Sequence, residues 1–161
     1  MVCLVKGRPE HAVIVAPFSD DEFLISRGRG AQGNGKRLRV SKTVGVPGAR
    51  LALSWPSEEY RSRWLPQYLT VVERLGPQID TLIGSGCALL DLLEFAAGRT
   101  DAAFVLGLEE QDHWVGSLLL KEAGALSGAI DGSPSVEVGG TLMAAGPRLY
   151  KALAQQLKAS V

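Results

Sequence analysis

Ile79-Asp-Thr-Leu-Ile83, Cys87-Ala-Leu-Leu-Asp-Leu-Leu-Glu-Phe-Ala-Ala97, Ala102-Ala-Phe-Val-Leu106 and His113-Trp-Val-Gly-Ser-Leu-Leu-Leu-Lys-Glu-Ala123 follow one another as short run, long run, short run, long run. The short runs have strand length and the long ones have helix length, with leucines at helical spacing. That alternation predicts an α/β layer, with helices laid on a sheet. The 87–97 run is apolar on nearly every side (Ala88, Leu89, Leu90, Leu92, Leu93, Phe95, Ala96), so it predicts a helix held between layers rather than on the surface. Gly98 and Gly124 stand where helix C-termini call for glycine. Downstream, 126–130 and 140–145 extend the sheet. Pro147 suits a first helical position, and Leu149, Leu153 and Leu157 form the buried stripe of a helix over 147–158.

Upstream the rhythm is different. Residues 2–5, 12–16 and 22–26 are short runs rich in Val, Ile, Leu and Phe, parted by Gly7-Arg8-Pro9 and by Pro17-Phe18-Ser19-Asp20, which predicts an antiparallel meander. Asn34-Gly35, between the glycine-rich 28–33 and the alternating Arg37-Leu38-Arg39-Val40, predicts a tight hairpin. After a loop at 43–48, 51–55 reads as a strand. Ser57 is then an N-cap followed by first-turn acids, Glu58 and Glu59. Pro66 interrupts this helix, so two helices or one kinked helix are expected, ending near Gly76-Pro77. With no repeat and no linker, the 161 residues read as one compact unit.

Lys plus Arg equals Asp plus Glu at 17 each, so the overall charge argues against a nucleic-acid or anionic-membrane partner. No apolar stretch reaches the length of a membrane span, and the N-terminus carries no export signal. Cys3 and Cys87 have no neighbouring Cys or His at metal-ligand spacing. A cytoplasmic protein is expected.

Three motif matches fail on context. Gly28-Arg-Gly30-Ala-Gln-Gly33 fits the dinucleotide pattern G-x-G-x-x-G, but a hairpin follows it where that loop must open a helix. Gly30-Ala-Gln-Gly-Asn-Gly35-Lys36-Arg37 approaches a P-loop, yet Arg37 replaces its magnesium-holding hydroxyl. Asp131-Gly132-Ser133 reads as a turn. The basic residues Arg27, Arg29, Lys36, Arg37, Arg39 and Lys42 lack interleaved aromatics and read as a solvated sheet edge, with Arg37 and Arg39 on one face.

Two stretches carry a family likeness. Asp21-Glu-Phe-Leu-Ile-Ser-Arg-Gly-Arg-Gly-Ala-Gln-Gly-Asn-Gly-Lys-Arg-Leu-Arg-Val-Ser41 resembles the E-L-F-x-A-x-x-G-x-G-A-x-x-N-G-x-x-I-x-V-S hairpin of inositol monophosphatases. Ala96-Ala-Gly-Arg-Thr-Asp-Ala102, with Gly107-Leu-Glu-Glu-Gln-Asp-His-Trp-Val-Gly-Ser-Leu-Leu-Leu-Lys-Glu-Ala-Gly124, resembles A-A-G-x-x-D-A and G-x-x-x-W-D-H-A-A-G-x-L-I-V-x-E-A-G of the same family. The closing Met143-Ala-Ala-Gly-Pro147 extends the likeness over nearly the whole chain.

The resemblance implies an α-β-α-β-α sandwich and Mg²⁺-dependent hydrolysis of phosphate monoesters, with inositol phosphate, sugar phosphate and nucleoside bisphosphate all open as substrates. Carboxylates of the family hold two or three magnesium ions, which activate water and stabilise the leaving oxygen. Of those ligands only the W-D aspartate has a counterpart, Asp112. Gly128 stands where D-P-I-D-G-T would begin with its aspartate, and the true D-P-I-D-G-T and glutamate motifs would lie upstream of Met1. The chain thus corresponds to the C-terminal three-fifths of the family. Gly86, Cys87 and Ala88 match the family's G-T-A, a substrate-touching helix start, although small residues there also serve close packing. Asp112 in turn has a structural reading as an N-cap.

This sequence departs from the family at Gln111 for the tryptophan, at bulky Trp114-Val115, and at Val105, where inositol-specific members carry glutamate. His113 is expected to serve a surface or capping role, His11 lies in a strand region, and Glu109 and Glu110 read as solvated loop charges. Two functions follow. One is a phosphatase fragment, inactive alone because one carboxylate leaves Mg²⁺ largely hydrated; the other is a non-catalytic binding domain on the same scaffold. Either leaves an uncovered apolar face, for which a homodimer or a complementing N-terminal segment is expected.

Overall fold

The computed structural model describes residues 1–158. Its N-terminal part is an antiparallel meander of β1 (Val2–Val5), β2 (Arg8–Ala16), β3 (Asp21–Ser26), β4 (Gly30–Gly33) and β5 (Lys36–Arg37), in spatial order β1-β2-β3-β4-β5. Asn34 and Gly35 both have positive φ, 50° and 74°, as a two-residue hairpin requires. The Asn34 side chain accepts from the Glu22 N–H at 2.8 Å and donates to Asp21 at 2.7 Å. β5 is shorter than the alternation of 37–40 suggests, because pairing stops at Arg37 and Arg39 lies beyond the ladder.

The second sheet is built from β6 (Arg50–Leu53), β7 (Thr81–Ile83), β8 (Ala102–Leu106), β9 (Leu126–Gly128) and β10 (Thr141–Ala145). Its order is β7-β6-β8-β10-β9; β6 is parallel to β7 and β8, and β10 is antiparallel to β8 and β9. Four helices complete the fold: α1 (Glu58–Leu75), α2 (Ala88–Ala96), α3 (Glu110–Ala123) and α4 (Pro147–Lys158). β8 shows why they lie on both sides. All five of its residues are buried; Ala103 and Val105 join the core shared with α2, α3 and the first sheet, while Ala102, Phe104 and Leu106 join that of α1 and α4. A strand buried on both faces reads as a continuous apolar run.

The layers are therefore first sheet, α2 with α3, second sheet, α1 with α4. This is the expected sandwich with four of its five layers among the described residues. The outer face of the first sheet carries exposed Val13, Val15 and Leu24.

Of the two outcomes expected at Pro66, the split is excluded. Pro66 neither ends nor divides the helix, and α1 runs through as one element that stops at Gly76, as expected. Pro66 and Ser62 are exposed, so the Ser62 carbonyl that loses its helical donor faces water. The opposite stripe, with Val71 and Leu75 fully buried, holds the helix on the sheet. Burial of that stripe outweighs the roughly 3 kcal/mol disadvantage of an internal proline. Ser57 is at the N-cap as expected, but its hydroxyl makes no capping bond.

The glycines of the 28–33 loop serve a turn and an internal anion. Gly28 and Gly30 have φ of 72° and 91°, and their N–H groups donate to the two carboxylate oxygens of Glu122 on α3, at 2.8 and 2.9 Å. The amides that a nucleotide loop would offer to phosphate are thus spent on tying the hairpin to α3. Asp131-Gly132-Ser133 is the expected turn, with the Ser133 N–H donating to Asp131 Oδ1 at 2.8 Å.

Candidate active site

Three parallel strands, β6, β7 and β8, end on the same side of the second sheet. After β6 the chain leaves for α1 on the outer face, whereas after β8 it leaves for α3 on the inner face. Adjacent strands whose exits diverge to opposite faces open a crevice beyond their carboxyl ends, the usual ligand position in such sheets. A cleft of about 480 Å³ lies there. Its walls are the segment after β6 (Ser54, Trp55, Pro56, Ser57), the segment after β7 (Gly86, Cys87, Ala88) and the end of β8 with the start of α3 (Val105, Glu109, Gln111, Asp112). The predicted metal ligand and the predicted substrate-binding residues, far apart in sequence, thus line one cavity.

Asp112 is not the N-cap of α3. The helix begins at Glu110, with Glu109 at the cap position and no side-chain capping bond, so Asp112 sits in the first turn. The 113–123 run marked the apolar periodicity, and the helix gains one further, polar turn before it. No hydrogen bond or ion pair engages the Asp112 carboxylate among the described residues. Burial, and next the charge of Glu109, push its pKa up from the ordinary aspartate value. A partly buried carboxylate with no partner and a second acid beside it is a site that favours a cation.

The Gly86-Cys87-Ala88 corner is held by a residue that the sequence reading passed over. Asp91, one turn into α2 and 3% exposed, accepts from Ser54 Oγ at 2.7 Å and from the Ser85 N–H at 2.9 Å. It therefore ties the end of β6 to the loop after β7 across the floor of the cleft. Ser85 Oγ in turn accepts from the Cys87 N–H at 3.2 Å. Gly86 has φ of 81°, a left-handed conformation that suits glycine. The signal available in the sequence was one acid in the first turn of an otherwise apolar helix.

Other candidates fall outside this arrangement. His113 meets Trp114 edge-on at 5.4 Å between ring centres and lines a second, smaller cavity that Asp112 also borders. His11 is on β2, 3.0 Å from Ser26 Oγ. Arg27 pairs with Glu10 at 3.0 Å. Cys87 lines the cleft and Cys3 lies on β1; both are exposed thiols.

The donor set decides what metal chemistry this chain supports. Magnesium takes near-octahedral oxygen ligands, usually one or two carboxylates with substrate phosphate and water, and the family's reaction uses more than one ion. Among the described residues no group of three His, Cys, Asp or Glu side chains converges to hold a metal. With Asp112 the one predicted ligand, the residues present do not by themselves fit the family's magnesium centre.

Comparison with known proteins agrees with this geometry. The sequence model of the inositol monophosphatase family matches residues 2–161. The chain is 40% identical over 153 residues to the Nus factor SuhB of Pseudomonas aeruginosa, covering 95% of this chain and 56% of that protein. It is 34% identical over 154 residues to the Nus factor SuhB of Escherichia coli K12, covering 96% and 57%. Among solved structures, the inositol monophosphatase from Anabaena (Nostoc) sp. PCC 7120 superposes with a TM-score of 0.87 at 28% identity, over 98% of this chain and 64% of that one. The extragenic suppressor protein SuhB from Bartonella henselae gives 0.86 at 27% identity, over 97% and 59%. The chain thus spans little more than half the length of the curated relatives it matches. By its sequence and its fold, this chain belongs to the inositol monophosphatase family.

Proposed function

We propose that this chain forms one wall of a magnesium-dependent phosphatase site for phosphate monoesters, and that it does not hydrolyse them alone. Asp112 contributes one metal ligand, and the Gly86–Ala88 corner meets the substrate. The observation that carries this reading is the Asp112 carboxylate: partly buried, unpartnered, beside Glu109 and facing the cleft. The remaining carboxylates come from a complementing N-terminal segment. Such a segment, or a second copy of the chain, covers the apolar outer face of the first sheet.

The test incubates the purified chain with millimolar Mg²⁺ and a panel of phosphate monoesters, with Asp112→Asn as control. No phosphate release is expected from the chain alone. Co-expression with the N-terminal two-fifths of the Pseudomonas relative should restore release that Asp112→Asn abolishes. Release by the isolated chain, or release indifferent to Asp112→Asn, overturns the proposal.

A second reading is a binding module without chemistry. It is favoured by Val105 and Gln111 at positions where the family pattern is polar or aromatic, and by similarity to proteins named Nus factors rather than phosphatases. An inactive co-expressed complex that remains tightly associated would favour it.

A further inference from the structure

The wall of the cleft after β6 is built for something other than a polyhydroxylated ring. Trp55, the second residue after β6, is 48% exposed, a large apolar surface to leave in water. Its ring does not hang loose. Tyr68 of α1 meets it edge-on, with ring centres 5.0 Å apart, and the Arg61 guanidinium lies over it, 5.8 Å from its centre. Both supports come from α1, which is anchored on the sheet by Val71 and Leu75. A rigidly braced, exposed indole in a cleft wall is a stacking surface.

The chemistry of the other walls agrees. Val105, Leu89 and Ala88 present apolar surface toward the same cavity, and Arg61 is the one cation among the described lining residues. A cyclitol needs acceptors and donors for its hydroxyls, and a hydroxyl turned to an apolar wall loses its water without compensation. A flat heteroaromatic ring needs the reverse: a π-face to lie on and a donor at its edge. The cavity, at about 480 Å³, is within the range that takes a ligand of nucleotide size.

We infer that Trp55, braced by Tyr68, is a stacking subsite that selects phosphate monoesters bearing a planar aromatic group, nucleoside monophosphates being the class, with Arg61 donating to the acceptor edge of the ring. The inference rests on the phosphatase reading for the phosphate end alone; the aromatic end stands on its own geometry. Arg61 is exposed, so a change of its rotamer uncovers the indole face for the ligand and keeps the guanidinium within reach of the ligand's edge.

The experiment titrates the 161-residue chain, in millimolar Mg²⁺, with adenosine monophosphate and separately with inositol monophosphate. Tryptophan fluorescence is followed in a Trp64→Phe, Trp114→Phe background. Adenosine monophosphate should quench Trp55 and bind at least tenfold more tightly than inositol monophosphate, the order expected for stacking one base on an aromatic side chain. Trp55→Phe should keep the preference. Trp55→Leu should remove it, read by calorimetry with circular dichroism confirming the fold. Equal binding of the two ligands, no binding of adenosine monophosphate, or a preference that survives Trp55→Leu overturns the inference. None of these readouts uses phosphate release or Asp112, so a failed phosphatase proposal and a failed stacking proposal give different results.

Discussion

Replacing Asp91 tests whether the cleft is held by the carboxylate beneath it. The Asp91 side chain is 3% exposed and accepts two short hydrogen bonds, 2.7 Å from Ser54 Oγ and 2.9 Å from the Ser85 N–H. Ser54 is itself 3% exposed, so in Asp91→Ala its hydroxyl is left without either partner or water. Hydrogen bonds to a carboxylate contribute about 1.5–3 kcal/mol each, and an orphaned buried group costs about 1–3 kcal/mol. The Ser85 end is more open and regains water, which places the loss for Asp91→Ala at roughly 3–4 kcal/mol. Asp91→Asn keeps one acceptor, and the Ser54 hydroxyl can rotate to accept from the new amide, so its cost should be roughly 1–2 kcal/mol. Urea denaturation at neutral pH separates the three proteins by midpoint, provided the slopes agree. Hydrogen exchange adds the local consequence: amides of the 84–88 loop should exchange faster in Asp91→Ala than α2 as a whole does. An Asp91→Ala protein within about 0.5 kcal/mol of the parent, the ordinary range for an inconsequential substitution, would refute the account.

The other predictions concern neighbouring parts of the fold. Burial of Asp101 would raise its pKa, but hydrogen bonds from the Arg50 side chain and N–H and from Thr43 outweigh this and bring it down to about 2. A depressed carboxylate stabilises the fold above its unfolded value and loses that contribution as pH falls through the folded one. Acid titration should therefore show about 2 kcal/mol lost between pH 4 and pH 2, and Asp101→Asn should flatten that limb. For Asp112 the sign is opposite: a raised pKa means the ionised form opposes folding, so Asp112→Asn should raise Tm at pH 7, with the gain vanishing in acid where the parent aspartate is protonated. Glu122→Ala releases the Gly28 and Gly30 amides from α3 and should cost about 1–2 kcal/mol, with faster exchange confined to the 27–31 turn. Sedimentation should find the isolated chain dimeric or associating, and Val13→Lys with Val15→Lys should shift it toward monomer.

How much of this was legible in the sequence follows from which residues act locally. The hairpin at Asn34-Gly35 and the αL stop at Gly124 were readable because each is set by the conformational freedom of one or two residues. The α/β alternation was readable because β8 is apolar over its full length and α2 over all but Asp91 and Glu94. Pro66 left two helices or one open because its penalty is local while the compensation, burial of Val71 and Leu75 under the sheet, is tertiary. The start of α3 was placed three residues late because Glu110, Gln111 and Asp112 carry no apolar period; helix there is continued by propensity and by a core some residues downstream. Asp91 was invisible for a related reason. An acid inside an apolar helix has a meaning only once Ser54 and Ser85, 37 and 6 residues away, are known to meet it.

The two ends of the cleft show a division that the sequence alone could not. Asp112 and Glu109 make the α3 end anionic, which suits a cation and repels a phosphate until that cation is present. Arg61 and Trp55 make the α1 end cationic and aromatic. The α1 end is complete within this chain, since the side chains that brace Trp55 all come from one helix. The α3 end is not, since its single unpartnered carboxylate lacks the further ligands that magnesium chemistry requires. On the two proposals above, recognition of a substrate's organic part and chemistry at its phosphate belong to different ends of the cleft. An isolated chain that binds an aromatic monophosphate without hydrolysing it is what the two proposals together predict, and binding that appears only together with hydrolysis would show that the two ends are coupled.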